Sequence, residues 1–493
     1  MIEHGVTHHE FVVLGGGTSG CVVAGRLAET GRDVLVVEAG PDYGALDAAG
    51  WPDELVDARA LPDSHDWGYD SGGGYADRVV PFQRARVIGG CSAHNGCIAA
   101  VGHRSDYDGC GLPGWAAADL EPLLPAVLER MRVRAYSDYE AGPFHAACLE
   151  AATAVGWRRA DDLCDLDGLD GFGLETVNID GGVRFNTSFA YLDPVRERVR
   201  VFDRALVDRV EQRPDGWLVH LVHDGERLTV HAGTAVLAGG TYGTPAILQR
   251  SGIGDPIWLA QAGIDCVHEL PGVGRNLHDH PMLEVDYARG ERLEREIAAA
   301  AAAGFVPDEQ TLGKAQSSRA DGVYDLHVIP LFSATQTGIL AGRVTIAAAV
   351  MTPRSRGFVR VRSADSSAAP WIEHAYLEDR DGHDVAVLQD GVELVRELAS
   401  RSPLRELIGA PLQPFATDAE LREAVVHYYH PVGTCAMGAA GDPLAVCDER
   451  GRVRGLEGLV VADCSLLPQV PRANTNIPVV LVGARIAQLL LST

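Results

Sequence analysis

A glycine-rich turn, Gly15-Gly16-Gly17-Thr18-Ser19-Gly20, constrains this chain more than any other stretch, because of what flanks it. Glu10 to Leu14 is a short apolar run, Ser19 to Thr30 has helical spacing, and Asp33 to Val37 is a second β-branched run ending on Glu38. That order predicts β-α-β, the unit that seeds a doubly wound α/β sheet. Within it Gly15 permits the turn, Gly17 lets backbone approach a pyrophosphate, and Gly20 allows helix and strand to pack closely. The helix N-terminus at Thr18 and Ser19 offers free N–H groups to the anion, and Glu38, followed by Ala39, stands where an adenosine ribose needs an acceptor. Dinucleotide binding follows, although the fingerprint alone does not separate FAD from NAD.

The 493 residues are too many for one compact core and argue for two or three domains. With 42 Lys plus Arg against 68 Asp plus Glu, the formal charge of -26 repels phosphate backbones and anionic membrane surfaces, so nucleic acid is excluded as an expected partner. The ten cysteines are scattered and form no Cys-x-x-Cys pair, which predicts reduced thiols and no structural zinc; no metal site is expected. Met1 to Glu10 is polar and Phe11 to Leu14 is too short for a leader or a membrane span. The expected location is the cytoplasm, with no membrane partner.

Pro41 to Tyr75 reads as an irregular excursion and Asp119 to Met131 as a helix. Phe202 to Val210, Trp217 to His223 and Arg227 to His231 predict a small antiparallel sheet turning at Asp224-Gly225, with Thr234 to Ala238 a separate parallel strand returning to the main sheet. Glu291 to Ala303 is an Ala-rich helix ended by Gly304. Asp325 to Leu331, Arg343 to Met351 and Gly357 to Arg362 predict strands of a second sheet, and Asp384 to Ala399 and Asp418 to Tyr428 predict helices. Leu459 to Ala462 is a last strand before a C-terminal helix near Pro478, with Asn476 as its expected N-cap.

Three later motifs carry chemistry. Arg86 to Gly96 reads Arg-Val-Ile-Gly-Gly-Cys-Ser-Ala-His-Asn-Gly; Gly240 to Gly254 is a glycine turn with a helix expected to start near Thr244-Pro245; and His427 to Gly438 holds His430-Pro431-Val432-Gly433-Thr434. With the opening fingerprint they resemble the glucose-methanol-choline (GMC) oxidoreductases over nearly the whole chain, from Phe11 to about Leu490. The chain departs from the family pattern at Cys91-Ser92 and at His94, where the histidine variant resembles the choline oxidase branch.

The resemblance implies a split FAD-binding Rossmann-like domain and an α+β substrate domain on an antiparallel sheet, an α/β GMC fold. The implied segments are 1–155, 199–284 and 441–493 for FAD and 156–198 and 285–440 for substrate. It puts Gly89, His94, Asn95, Gly96 and Ile98 against the flavin, with His94 bonded covalently to it, and Ala238, Gly239, Asp463, Cys464, Asn474, Asn476 and Pro478 around the cofactor. Val207 would turn its backbone to adenine.

Removing hydride from an alcohol carbon needs a base at the hydroxyl proton, a flavin N5 facing the carbon, and a partner for the alkoxide. His430 is the implied base and Asn474 the implied partner, while His427 on the same segment is the competing imidazole. His327 and Tyr429 are the candidate substrate contacts. No aromatic cage for a cation is visible from Thr311 to Arg319, so choline is disfavoured and a polar or anionic alcohol beside Lys314 or Arg319 is the easier fit. The expected activity is oxidation of an alcohol to an aldehyde or ketone, with oxygen or another electron acceptor, and with a homodimer left open. Two alternatives stay open: a flavin-containing lyase of the hydroxynitrile-lyase type, and a non-catalytic flavin-binding accessory protein.

Overall fold

Five parallel strands and one helix build the floor of the nucleotide site. β1 (Thr7–Leu14) and β2 (Val34–Val37) lie parallel, Phe11 opposite Val34, with α1 (Thr18–Glu29) between them. β3 (Val199–Phe202) extends the sheet beside β2, and Arg204, at φ 52°, breaks the chain before β4 (Ala205–Arg213), so the single strand expected over 202–210 is two. The computed structural model describes residues 7–59, 61–71, 78–160, 162–304, 306–332, 342–413 and 415–492. Positions 60 and 72–75 of the irregular excursion fall outside the described residues.

β5 (Gly216–His223) and β6 (Glu226–Leu237) form the expected hairpin, with Asp224 and Gly225 both at positive φ as a tight two-residue turn requires. The expected break between a hairpin strand and a returning strand is absent: β6 is continuous. It pairs antiparallel with β5 from Glu226 to Ala232 and parallel with β1 from Thr7–Val230 to Leu14–Leu237. Gly233 makes this continuity possible, since a Cβ there would lie 3.0 Å from the Glu10 carbonyl. The antiparallel strands therefore belong to the main sheet.

α2 (Gly240–Arg250) begins at Gly240, and Pro245 sits inside it, against the expectation that the proline would start it. A proline there removes the bond to the carbonyl four residues back. The Thr434 hydroxyl supplies it instead, donating to the Thr241 carbonyl at 2.6 Å. Thr434→Val leaves that buried acceptor unpaired and is expected to cost about 1–3 kcal/mol, read as a lowered midpoint in a chemical melt.

The second sheet is antiparallel in its centre: β7 (Pro281–Arg289), β10 (Arg343–Val350), β9 (Leu326–Phe332) and β8 (Thr311–Ala315) lie side by side, with Gly171–Leu174 beyond β8. α3 (His383–Ala399) covers one face, close enough that a Cβ on Gly391 would meet Ala348 at 2.8 Å. Three expectations fail here. Phe358–Arg360 pairs with Trp371–Glu373 as its own ribbon and not with the second sheet. The helix expected to reach Tyr428 stops at Ala424, and Val426–His427 pairs with Pro281 and Met282. The helix expected over 119–131 is three short turns, interrupted at Pro122 and Pro125.

β11 (Leu459–Val461) returns to the first sheet, taking the place beside Ala235–Leu237 where β5 no longer reaches. α4 (Asn476–Leu491) then packs on α1, with the Gly483 Cα side 3.0 Å from the Ser19 carbonyl at the position of an added Cβ. Asn476 is the first helical residue and not the cap; its Nδ2 donates to Asn178 at 3.3 Å. Among the described residues no helix is long and apolar enough to cross a membrane.

Candidate active site

The opening glycines do three different jobs. Gly15, at φ 114°, would place a Cβ 2.4 Å from the Ala238 carbonyl, and a Cβ on Gly20 would lie 1.9 Å from the Gly15 carbonyl. Gly17 meets nothing nearer than 3.8 Å, so its backbone is open to a ligand. The loop is fastened to the second glycine turn: Thr18 Oγ1 donates to the Gly89 carbonyl at 3.4 Å and accepts from the Ser92 N–H at 3.2 Å. Ser19 is buried in the first turn of α1.

Glu38, at the end of β2, accepts from the Gly16 and Gly40 N–H groups at 2.8 and 2.7 Å. Its carboxylate is thus already engaged with backbone, and burial pushes it up to about 7. Between the ordinary carboxylate range and about pH 7 the folded protein binds a proton that the unfolded chain does not. Stability from this group therefore falls as pH rises through that window. Thermal melts of the FAD-free protein should show this slope, and Glu38→Gln should flatten it.

The Ala39 carbonyl accepts from Arg86, Ala238 follows Leu237 out of β6 with its N–H on the Leu14 carbonyl, and Gly239 donates to Thr244. Val207 is buried in β4 with its carbonyl turned to Arg250 at 3.2 Å, leaving that atom occupied. Asp463 is likewise engaged: it accepts from Gly240, Thr244 and Ser465, capping α2, and Cys464 Sγ lies 3.1 Å from Thr241. Pro478 sits in the first turn of α4, beside the loop that carries Asn474.

Gly89 and Gly90 both take positive φ and lead through a short turn to His94. His94 Nε2 donates to the Ser64 carbonyl at 2.8 Å, which leaves the lone pair on Nδ1, and burial holds the ring below its ordinary value and neutral. Asn95 accepts from Cys97, and its carbonyl is held by the buried Arg184; Ile98 is core, packed with Tyr428 and Ala473.

The 427–434 segment meets this cradle. His430 is buried; its N–H donates to Asp279 Oδ1 at 2.9 Å and its Nδ1 lies 3.0 Å from His280 Nδ1. The Tyr428 ring is 4.3 Å from the His430 ring, and the Tyr428 hydroxyl is 3.5 Å from Asn474 Nδ2. Asn474 Oδ1 is buried without a partner, as are both ring nitrogens of His327, which lies 6.1 Å from Tyr428. Burial pushes His430 and His327 well below the ordinary range and His280 down to about 3, so all three are neutral imidazoles. His430, Asn474 and His327 therefore converge, with Tyr428 between them.

Tyr429 is turned the other way: it is 41% exposed and its ring packs on His427 at 4.1 Å. The inner tyrosine is Tyr428, not the one expected. His427 is core, 5.5 Å from Phe82, and burial takes it to about 3. Asp279, His280 and His430 bring ligand-type atoms within 4.8 Å of one another, but the Asp279 oxygen serves two N–H groups and the two Nδ1 atoms serve each other.

The profile of the GMC oxidoreductase family matches residues 9–282 and 353–483. The chain belongs to the GMC oxidoreductases. Choline oxidase of Arthrobacter globiformis is 32% identical over 98% of this chain and 94% of its own length, and an oxygen-dependent choline dehydrogenase of Brucella canis is 31% identical over 97% and 94%. Among solved structures, pyridoxine 4-oxidase from Mesorbium loti superposes with a TM-score of 0.87 at 25% identity, covering 98% of this chain and 99% of that one. Formate oxidase, at 21% identity and a TM-score of 0.86, supports the fold alone. The protein is thus a flavoenzyme of the GMC fold, an FAD-dependent oxidoreductase for alcohol-type substrates.

Two acids of this GMC enzyme escaped the sequence reading. Glu175 is fully buried with both carboxylate oxygens unpartnered, and Glu309 lies against Gly96, its oxygens 3.1 and 3.3 Å from where a Gly96 Cβ would stand. Burial pushes Glu309 up to about 7, and each acid is felt by the Tyr428 phenol. Glu309 falls two residues before the Thr311–Arg319 stretch, and only the folded chain puts it beside the 86–96 loop. Lys314 is buried instead over the Tyr324 ring at 4.9 Å, and Arg319 lines a separate cavity of about 330 Å³ with Asp106, Arg356 and Arg472.

Proposed function

We propose that the enzyme oxidises the CH–OH carbon of an alcohol bearing a positive charge to an aldehyde or ketone, with His430 as base and Asn474 as partner of the oxygen. Neutral His430, fixed by Asp279 and paired with His280, carries this reading. With Nδ1–H donated to His280, the His430 Nε2 lone pair is free to take the hydroxyl proton. The buried Asn474 amide offers N–H to the alkoxide oxygen. Bound FAD supplies the hydride acceptor. Gly15, Gly17, Gly20 and the start of α1 would hold its pyrophosphate, and His94, neutral with a lone pair on Nδ1, would tether it.

The buried acids support the charge of the substrate. Burial drives both acids toward their neutral, protonated forms, and a cation beside Glu309 would favour its carboxylate. Relatives named for choline, itself a cationic alcohol, point the same way. A polar or anionic alcohol beside Lys314, which stands opposite His327 across the sheet and opposes its protonation, is the second reading, while Arg319 faces the separate cavity. The five-segment division into FAD and substrate domains is part of the same proposal.

Anaerobic mixing with cationic, neutral and anionic alcohols tests it: bleaching of the flavin by cationic alcohols first is the expected result. No bleaching by any alcohol would favour the lyase. Glu309→Gln should raise KM for a cationic alcohol about tenfold, roughly 1.4 kcal/mol, and leave that for a neutral one unchanged. Denaturation should leave yellow colour on the polypeptide, and His94→Ala should release it. Rates with oxygen against a dye acceptor decide between oxidase and dehydrogenase.

A further inference from the structure

Tyr429, directly before His430, has φ 65°, a left-handed conformation that a bulky residue rarely adopts. This turn brings the rings of Tyr428 and His430 to 4.3 Å while Tyr429 itself points outward. Something must hold it, because strained backbone persists only where its surroundings over-determine it. The neighbouring groups are fixed: the Tyr428 N–H donates to the His280 carbonyl at 3.1 Å, the His430 N–H to Asp279, and Thr241 to the Pro431 carbonyl at 2.6 Å. Between them, the Tyr429 carbonyl accepts from Arg84 Nη1 at 3.0 Å.

Arg84 is placed for this task. Its guanidinium stands 6.0 Å from both the Tyr242 and Tyr429 rings, and its Nε is buried without a partner. Among the described residues no carboxylate comes within ion-pair distance of it. Its own backbone is anchored, the N–H on Asp66 at 2.9 Å and the carbonyl on Trp67 at 3.0 Å. Five residues on lies Gly89, at the turn into the His94 loop. A desolvated guanidinium is expensive to keep, so an apolar side chain would serve packing better.

We infer that Arg84 is a positioning residue, clamping the left-handed Tyr429 carbonyl so that His430 is aimed at the substrate from a point fixed to the flavin loop. The inference rests on the reading of His430 as base. A misplacement of about 1 Å at a reacting group costs on the order of 10²-fold in rate.

The test uses the FAD-loaded enzyme with an alcohol that bleaches it, measuring kcat and KM separately for Arg84→Met, Arg84→Ala and Arg84→Lys. Arg84→Met should lose about 10²-fold in kcat with KM changed by less than about threefold. Arg84→Lys should recover part of the loss, and millimolar guanidinium should restore turnover to Arg84→Ala. Added to His430→Ala, Arg84→Met should cost nothing further, because both act through one imidazole. A kcat within about threefold of the parent, or a loss expressed in KM alone, would overturn the inference. So would additive losses in the double variant. If Arg84→Met fails to hold FAD, Arg84→Lys and its rescue decide. Full activity in His430→Ala would instead sink the base assignment on which the clamp depends.

Discussion

His430→Ala is expected to lower kcat by about 10²–10⁴-fold, the usual range for loss of a general base, in a protein that still binds FAD. The imidazole is neutral because burial and the neighbouring His280, Arg84 and His327 all oppose its protonation, so its lone pair is available across the ordinary pH range. No neighbour replaces it. His280 is engaged through the same Nδ1 contact, and His427 lies in the core against Phe82. The alanine removes no group from the 15–20 cradle or the 89–96 loop, so flavin content should match the parent. Stopped-flow reduction under anaerobic conditions measures the step directly. A rate within a few-fold of the parent would mean that proton removal lies elsewhere, with Tyr428 the next group to test.

Gly20→Ala should have a comparably large effect for a different reason, since it strikes the fold. The added Cβ would stand 1.9 Å from the Gly15 carbonyl, backbone against side chain with no flexible atom to yield. α1 must then move off β1 or the loop must open; overpacking of this kind costs about 3 kcal/mol or more. The cofactor site goes with it, because the same loop presents the N-terminus of α1. Gly17→Ala is the informative contrast. With nothing nearer than 3.8 Å the chain accepts that methyl, yet in the proposed cofactor site it would stand where the pyrophosphate approaches. The expected pair of results is a lowered melting temperature without flavin for Gly20→Ala, and a normal one with weakened flavin for Gly17→Ala. Equal melting temperatures in both would show that the loop relaxes more than the packing implies.

What could be read in advance was local. The β-α-β unit, the Asp224-Gly225 turn and the C-terminal helix announce themselves through spacing and turn chemistry that need no distant partner. What could not be read depends on partners far along the chain. Pro245 stays inside a helix because the Thr434 hydroxyl, 193 residues beyond Thr241, takes over the Thr241 carbonyl, and His430 owes its setting to Asp279, 151 residues upstream. Tyr428 and Tyr429 are indistinguishable as letters; a single positive φ decides which one faces inward. Glu309 carries no motif at all, and its meaning comes from the Gly96 backbone lying beside it.

β6 is flanked by β5 and β1 early on, but its last three residues wait for β11, more than 220 positions downstream. Pairings of such separation close late. A chain that stops short of residue 459 can present its glycine turn yet lacks β11, Asn474 and α4. The fingerprint at 15–20 is therefore half of a site, and only the joining of residues 459–491 to β6 and α1 completes it.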